Sequence, residues 1–504
     1  MKRGTLRDAI VGLALTGAIL ISIEAVFRAL DFDSGIQETN ISRGFDGNAS
    51  YLHPDPEVEG GWRTNFFSNK ERERSIAPKG SRSRVIMFGG SNTQGFPTDT
   101  LVNSLKTLAG SNRFEVINLG RSGYGSARVR IIFNQALELL EPDIVLIYCG
   151  HNEFVERGFQ IDLEGRATRL SGGIASAAAK TATFQALREH FEEQAGPQNS
   201  SPQFEPEAWE WEYEKFAEIT YDETLQYYEA YEQNIRGMCE DALAQGVQVM
   251  LSTVIYNRLS VPFSSAFPIS VDEAAQRKFA SLRQQALEFM PPYLAPLLPT
   301  NEPERVHAHD WGTGPAHKST APLQLASWRQ TTKLLSATDR WLYAKDSWKP
   351  TVHALDACLN TFPERNFGKF SKDELERAEG LLKKALTICP DHPRALFELA
   401  LIEYLLDRNA ELYVRHFEEA NRYDRAPRKA SALTTDIILK VAEESEGVHF
   451  FDADRAFRDC HPDGLVGWEW MCDHCHLHLG GRVQLMSAFA EAIVEFNDQE
   501  VSED

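Results

Sequence analysis

Residues 85–95 read Val-Ile-Met-Phe-Gly-Gly-Ser-Asn-Thr-Gln-Gly. Four apolar residues that stop at two glycines are typical of a buried strand followed by a turn, and this turn presents Ser91. A nucleophilic serine needs such a turn, because it lifts the hydroxyl above the strand end and small residues let backbone N–H groups approach. A plain strand-to-helix turn has the same pattern, so other residues must decide between the two interpretations.

Two better-known motifs do not fit this stretch. The residue two positions after Ser91 is Thr93, which differs from the Gly-x-Ser-x-Gly elbow of α/β-hydrolases. No Lys-Ser or Lys-Thr pair follows the glycines, so the stretch does not predict a nucleotide-binding P-loop.

Apolar runs alternate with helical periodicity from this stretch to the C-terminus. Strands are predicted at residues 85–88, 114–119, 143–150, 246–254 and 447–452. Helices are predicted at residues 98–109, 127–141, 221–244, 434–444 and 479–495. Strands that alternate with helices indicate a parallel sheet with helices on both faces.

Candidate oxyanion donors follow the second and third predicted strands. Gly123 ends Asn-Leu-Gly-Arg-Ser-Gly at 118–123, and Asn152 lies in Gly-His-Asn-Glu at 150–153. The carboxyl ends of parallel strands share one edge of a sheet, where ligands bind. We therefore predict that the N–H groups of Ser91 and Gly123 and the side-chain amide of Asn152 form an oxyanion hole.

A histidine-rich segment precedes the last predicted helix. Residues 471–478 read Met-Cys-Asp-His-Cys-His-Leu-His. Asp473 and His476 are three positions apart, so both side chains can turn inward on one loop. We predict that His476 takes the proton of Ser91, while Asp473 holds the imidazole tautomer and stabilises its charged form.

In this order, the four blocks resemble those of the SGNH/GDSL hydrolases. By that resemblance Ser91, Gly123, Asn152 and His476 are the four name-giving residues, and Asp473 completes the triad. The resemblance implies a flavodoxin-like three-layer sandwich with a parallel sheet, and ester hydrolysis or acyl transfer without a cofactor. It covers roughly residues 84 to 155, 221 to 262 and 431 to 495.

Three features depart from the family pattern. Gly90 stands where the family has the aspartate of Gly-Asp-Ser, and Glu153 stands where aspartate is commoner. Neither residue belongs to the expected triad. A large α-helical insertion also distinguishes this chain from the compact lipases, so their substrates are not expected to apply.

Three further side chains near the strand ends are candidates for substrate binding: His151, Asn257 and Arg258. His151 is expected to be a polar lining residue. Arg258 suits an anionic substrate group, and an ordinary surface arginine is the alternative.

The Cys and His residues at 472–478 are also metal-ligand types. A structural zinc needs four ligands, usually as two separated pairs, and no second pair lies at a suitable spacing, so we predict no metal. A disulfide of Cys472 with Cys460 or Cys475 is another alternative. With seven cysteines scattered through the chain, the redox compartment cannot be inferred from cysteine alone.

The sequence divides into five predicted segments. These are an anchor or signal at 1–30, a linker at 31–83, the first part of the catalytic domain at 84–263 with an insertion at about 156–220, a helical insertion at 264–430, and the C-terminal part of the catalytic domain at 431–504. Within the helical insertion, residues of about 371–424 resemble a tetratricopeptide unit. This unit is interpreted either as a site for a protein partner or as a helical hairpin packed on its neighbour.

The N-terminus predicts a membrane location. Lys2, Arg3 and Arg7 precede an apolar run from Ala9 to Ile23, without a convincing cleavage site. A single anchor is therefore favoured over a cleaved signal. Basic residues before the run predict that the catalytic part lies outside the cytoplasm, in the periplasm or the extracellular space.

Charge and site chemistry restrict the function. A formal charge of -21 argues against nucleic acid as a partner, because that affinity depends on Lys and Arg. The first hypothesis is an enzyme that removes or transfers an acyl group, expected to be acetyl, on a cell-surface glycan or other small ester. The second is a catalytically silent scaffold that binds a protein through its helical repeat. The complete Ser-His-Asp set favours the enzyme, and hydrolase and O-acyltransferase both stay open.

Overall fold

We describe a computed structural model of the 504-residue chain. The described residues are 22, 51–64, 74–156, 221–263, 267, 270–289, 371–461, 463–467 and 470–503. Outside these ranges lie the predicted anchor apart from Ser22, nearly all of the insertion at about 156–220 and most of residues 264–370.

The chain divides into two compact units. One comprises Met1–His53, Arg63–Ser75 and Arg157–Glu205, and the other comprises Pro54–Trp62, Ile76–Glu156 and Pro206–Asp504. The main sheet, the helices described below and the candidate site all belong to the second unit. The five-segment division stays a prediction.

Three short strands lie in the region that we predicted to be a linker. They form a small sheet in the order β1-β2-β3 and comprise β1 (Leu52–Pro54), β2 (Trp62–Thr64) and β3 (Ser75–Ile76). Part of the predicted linker at 31–83 therefore forms short strands. Strands of two or three residues are too short to show the alternating pattern by which strands are detected.

A parallel five-stranded sheet forms the centre of the second unit. Its strands are β4 (Ser83–Gly89), β5 (Phe114–Asn118), β6 (Ile144–Tyr148), β7 (Gln248–Ser252) and β8 (Val448–Phe451). Their order is β5-β4-β6-β7-β8, and Val85 pairs with both Val116 and Ile144. Counted within the sheet this is 2-1-3-4-5, the order of flavodoxin-like folds, in which ligands bind where the strand order reverses. Here that point lies between β4 and β6.

Eleven helices are labelled here in chain order. They are α1 (Ser91–Gln94), α2 (Thr98–Leu108), α3 (Ser126–Leu140), α4 (Tyr221–Leu243), α5 (Glu273–Leu287), α6 (Lys372–Leu386), α7 (Pro393–Leu405), α8 (Ala410–Arg422), α9 (Ala432–Glu444), α10 (Ala453–Arg458) and α11 (Leu479–Glu503). Helix α2 packs on α11, while α4 packs on both α3 and α9. Because β4 and β6 are buried almost throughout, both faces of the sheet are covered.

Helices α5 to α8 share an apolar core of their own, which includes Leu382, Phe397 and Phe417. A capping box between Ser371 and Glu374 starts α6, and Pro393 occupies the first turn of α7. All four helices lie in the predicted helical insertion at 264–430, and α6 to α8 make up its tetratricopeptide-like segment at about 371–424. Tetratricopeptide-like binding of a partner stays a prediction.

No helix in the described ranges has the length and apolar character to span a bilayer. Apart from Ser22, the predicted anchor falls outside those ranges, and it stays a prediction. None of the six described cysteines forms a disulfide, so the proposed pairing of Cys472 with Cys460 or Cys475 is not present.

Candidate active site

The turn after β4 carries Ser91 as the first residue of α1. Ser91 is 9% exposed. The turn is held by its neighbours: the Thr93 hydroxyl donates to the carbonyl of Tyr148 at 3.1 Å, and the Asn118 amide donates to the carbonyl of Thr93 at 2.6 Å. The ends of β4, β5 and β6 are thereby tied together at the point where the strand order reverses.

The C-terminal loop brings His476 to Ser91. The distance from His476 Nε2 to Ser91 Oγ is 2.7 Å, and the distance from His476 Nδ1 to Asp473 Oδ2 is 2.6 Å. A carboxylate only accepts hydrogen bonds, so Nδ1 carries the hydrogen and Nε2 is the acceptor for the serine hydroxyl. The structure therefore brings Ser91, His476 and Asp473 together in the order that proton transfer from serine requires.

The surroundings of the Asp473 carboxyl favour its ionised form. Its Oδ1 accepts hydrogen bonds from the backbone N–H groups of Cys475 at 2.8 Å and His476 at 2.7 Å. Burial opposes the charge, but the neighbouring His476 and His474 and these hydrogen bonds hold the pKa of the Asp473 carboxyl well below its usual range. An ionised Asp473 stabilises an imidazolium at His476.

The candidate oxyanion donors converge on the same turn. Asn152 Nδ2 donates to the carbonyl of Tyr124 at 3.1 Å, next to Gly123, whose positive φ of 77° suits glycine. A Cβ at Gly90 would lie 2.5 Å from Asn152 Nδ2, so the amide lies directly beside the residue before Ser91. This close approach gives a physical reason for glycine at position 90: the amide of Asn152 occupies the space that a side chain would need.

His151 is buried, and its environment keeps the ring neutral. Its Nδ1 accepts a hydrogen bond from the backbone N–H of Ala430 at 3.0 Å. Burial and the nearby His476 and His474 lower the pKa of His151 to about 3. Its Nε2 has no hydrogen-bond partner among the described residues and is shielded from solvent. The ring lies near the site, but substrate contact stays a prediction.

Arg258 does not face the site. It is 1% exposed, and its two Nη atoms donate to the two Asp454 carboxylate oxygens at 2.8 and 2.6 Å. Its Nε donates to Glu418 at 2.7 Å. Substrate binding by Arg258, suggested by the sequence, is therefore corrected: two carboxylates already satisfy the guanidinium inside the protein. Asp454 lies on α10, a helix that the sequence did not predict.

Asn257 is also buried, at 0% exposure, and it contacts the loop that carries Asp473 and His476 rather than open space. Its amide donates to the carbonyl of Asp473 at 3.0 Å. Like Arg258, it is thus not placed to contact a substrate.

The residues that could bind a metal ion instead form an incomplete set of ligands. Asp473, His474 and Cys475 have donor atoms within 4.8 Å of one another. Three donors from consecutive residues are fewer than the four of a structural zinc site, and hydrogen bonds already occupy both Asp473 oxygens. Burial raises the pKa of the Cys475 thiol, which disfavours the thiolate that a metal needs. These residues do not fit a structural zinc.

Two glutamates that closely follow Asn152 in the chain, Glu153 and Glu156, contact the start of α3. Glu153 accepts hydrogen bonds from the backbone N–H of Ser126 at 3.0 Å and its hydroxyl at 2.6 Å, and Glu156 accepts from the N–H of Arg128 at 3.3 Å. Both carboxyls therefore bind the N-terminus of α3. Burial, followed by the charge of Glu153, raises the pKa of Glu156 to about 8.

This shift predicts a dependence of stability on pH. The folded protein keeps a proton on Glu156 that the unfolded chain loses from about pH 4.5 upward, so the free energy of unfolding falls as pH rises toward about 8. Glu156→Gln cannot ionise, and it should reduce the fall between pH 5 and 8 by on the order of 2 kcal/mol. Urea unfolding at the two pH values measures this, with the exposed Glu229→Gln as control. Equal falls in wild type and Glu156→Gln would contradict it.

Comparisons with known proteins are sparse. No protein-family model matches the chain, and no curated protein matches it. One similar solved structure is a GDSL-like lipase from Bacteroides thetaiotaomicron, at 17% identity and a TM-score of 0.17, over 35% of this chain and 51% of that one. Another is a protein assigned as an acylhydrolase from Bacteroides fragilis, at 18% identity and a TM-score of 0.18, over 42% and 64%. The chain thus spans about half to under two thirds of their lengths, and the site geometry alone carries the functional argument.

Proposed function

We propose that the chain is a serine esterase that hydrolyses ester-linked acyl groups, with Ser91 as nucleophile, His476 as general base and Asp473 as its orienting carboxylate. The observation that carries the proposal is the continuous relay from Ser91 Oγ to His476 at 2.7 Å and from His476 to Asp473 at 2.6 Å. A catalytically silent scaffold has no need of this alignment.

The proposed reaction has two halves. Ser91 Oγ attacks the ester carbonyl carbon while its proton passes to His476 Nε2, and the carbonyl oxygen becomes an oxyanion held by the N–H groups of Ser91 and Gly123 and the Asn152 amide. The C–O bond to the leaving alcohol breaks, and the alcohol takes the proton from His476. Water then attacks the acyl-enzyme in the same way and releases the carboxylic acid and free Ser91.

A hydroxyl of a sugar could replace water in the second half, which would make the chain an O-acyltransferase. From the sequence alone we propose an acetylated glycan or other small ester as substrate, a membrane anchor at the N-terminus and a location outside the cytoplasm. Release of free acid with and without a sugar acceptor, from acetylated sugars and short nitrophenyl esters, distinguishes hydrolysis from transfer.

A fluorophosphonate probe tests the proposal. The full-length wild type should label stoichiometrically, because the activated Ser91 displaces the fluoride, and Ser91→Ala should not label at all. Intact mass and peptide mapping locate the adduct. Ser104→Ala, on α2, is a control with another serine removed. Equal labelling of wild type and Ser91→Ala would show that Ser91 is not the nucleophile, and no labelling of wild type would favour the silent scaffold.

A further inference from the structure

The loop that carries Asp473 and His476 is far from Ser91 in sequence and forms no disulfide. It closes on itself through a bridge between Met471 and Leu477, and the N–H of Cys472 donates to the carbonyl of His476 at 2.7 Å. These contacts shape the loop, but they do not place it relative to the sheet. Contacts from outside the loop must therefore set the distance between His476 and Ser91.

The side chain of Asn92 supplies one such contact on each side of His476. Its Nδ2 donates to the carbonyl of Cys475 at 2.7 Å, and its Oδ1 accepts from the N–H of Leu477 at 3.4 Å. Asn92 is 3% exposed and directly follows Ser91 in α1. One amide therefore binds the residues before and after the candidate base, from the position next to the candidate nucleophile.

Asn257, after β7, holds the other end of the loop. Its Nδ2 donates to the carbonyl of Asp473 at 3.0 Å, and its backbone N–H donates to the carbonyl of His474 at 3.1 Å. Its own Oδ1 accepts from the N–H of Leu259 at 2.9 Å, and its carbonyl accepts from Lys429 Nζ at 2.7 Å. The Asn257 amide is thus itself fixed before it binds the loop.

We infer that Asn92 and Asn257 are positioning residues that set the Ser91–His476 distance by binding the backbone of residues 473–477. This inference rests on the proposed function. Asparagine suits the role because its amide offers both donor and acceptor at fixed geometry. A displacement of about 1 Å at a reacting group can lower the rate about 10²-fold, so two short amide contacts are enough to control catalysis.

The test compares two isosteric variants, Asn92→Asp and Asn257→Asp, in the full-length chain. Each variant preserves packing, because aspartate has the shape of asparagine. It keeps the oxygen acceptor and loses the N–H donor to the loop. The rate constant of fluorophosphonate labelling at saturating probe should fall about 10- to 100-fold, while the probe concentration at half-saturation changes little. Hydrogen exchange of the peptide that covers residues 471–478 should accelerate in both variants.

Asn409→Ala is the matched control. Asn409 caps α8 by accepting from the N–H of Glu411 at 3.0 Å, so its loss destabilises a helix without touching the loop. This variant should label at the wild-type rate and leave exchange of 471–478 unchanged. The control separates positioning of the loop from a general loss of stability.

Failure of this inference can be distinguished from failure of the proposed function. Wild-type labelling rates and wild-type exchange in Asn92→Asp and Asn257→Asp would overturn the inference while leaving the esterase proposal intact. A wild-type chain that does not label would overturn the esterase proposal, and the exchange of residues 471–478 would then decide by itself whether the two asparagines position the loop.

Discussion

Replacing His476 with alanine should lower kcat for ester hydrolysis by roughly 10⁴- to 10⁶-fold. Ser91 would lose its only proton acceptor within hydrogen-bond distance in the described part of the chain, at 2.7 Å. A neutral hydroxyl is a poor nucleophile near pH 7, so acylation would become the slow step. Initial rates with short nitrophenyl esters over a range of concentrations measure the effect, which should lie in kcat and leave KM within a few-fold.

His474→Ala is a control of the same residue type on the same loop. The His474 ring packs against Phe263, with ring centroids 4.9 Å apart, and burial lowers the pKa of His474 to about 4. Because the His474 ring is uncharged near pH 7, the His474→Ala variant should lose far less activity than His476→Ala. If His474→Ala lost as much activity as His476→Ala, the assignment of the base would be wrong.

Gly90→Ala should lower kcat by about 10²- to 10³-fold, as expected for the loss of one oxyanion donor. The added Cβ would lie 2.5 Å from Asn152 Nδ2 and 3.1 Å from the carbonyl of Tyr124. The backbone carbonyl cannot move easily, so the Asn152 amide must move away from the developing charge. Substrate binding should change little, because the oxyanion forms only in the transition state.

A double-mutant cycle gives this prediction its sharpest test. Asn152→Ala should cause a similar loss, and adding Gly90→Ala to it should cost little more, because the clash is then gone. Gly80→Ala is the matched control, since a Cβ there meets nothing within 4 Å. Additive losses in the double variant would mean that Gly90 acts through another contact.

The sequence was sufficient to predict the main strands and the three residues of the candidate triad, Ser91, His476 and Asp473. Strands β4, β6 and β7 contain uninterrupted apolar runs of at least three residues, whereas Glu115 and His449 interrupt those of β5 and β8. The candidate site residues Ser91, Asn152, Asp473 and His476 lie in patterns confined to a few residues. The spatial meeting of these blocks follows from parallel strands that end at one edge. Local patterns therefore predicted both the sheet and the residues at its edge.

Other features depend on contacts that local patterns do not contain. Asn92 lay in the stretch that identified the turn, but its role depends on a loop 383 residues away in the chain. Arg258 stands after a strand as a site residue would, yet its partner Asp454 lies 196 residues further on. Glu156 accepts a hydrogen bond at the N-terminus of α3, a contact that its neighbours in the sequence do not indicate. In each case the decisive partner is distant in sequence.

The position of the Asp473–His476 loop has a consequence for biosynthesis. During translation the nucleophile turn and the oxyanion donors emerge early, whereas the proton acceptor is completed only when the final strand and the loop after it have been made. Under the proposed function, a nascent or C-terminally clipped polypeptide would hold an inert serine, and a single cleavage before residue 473 would abolish hydrolysis by removing Asp473 and His476.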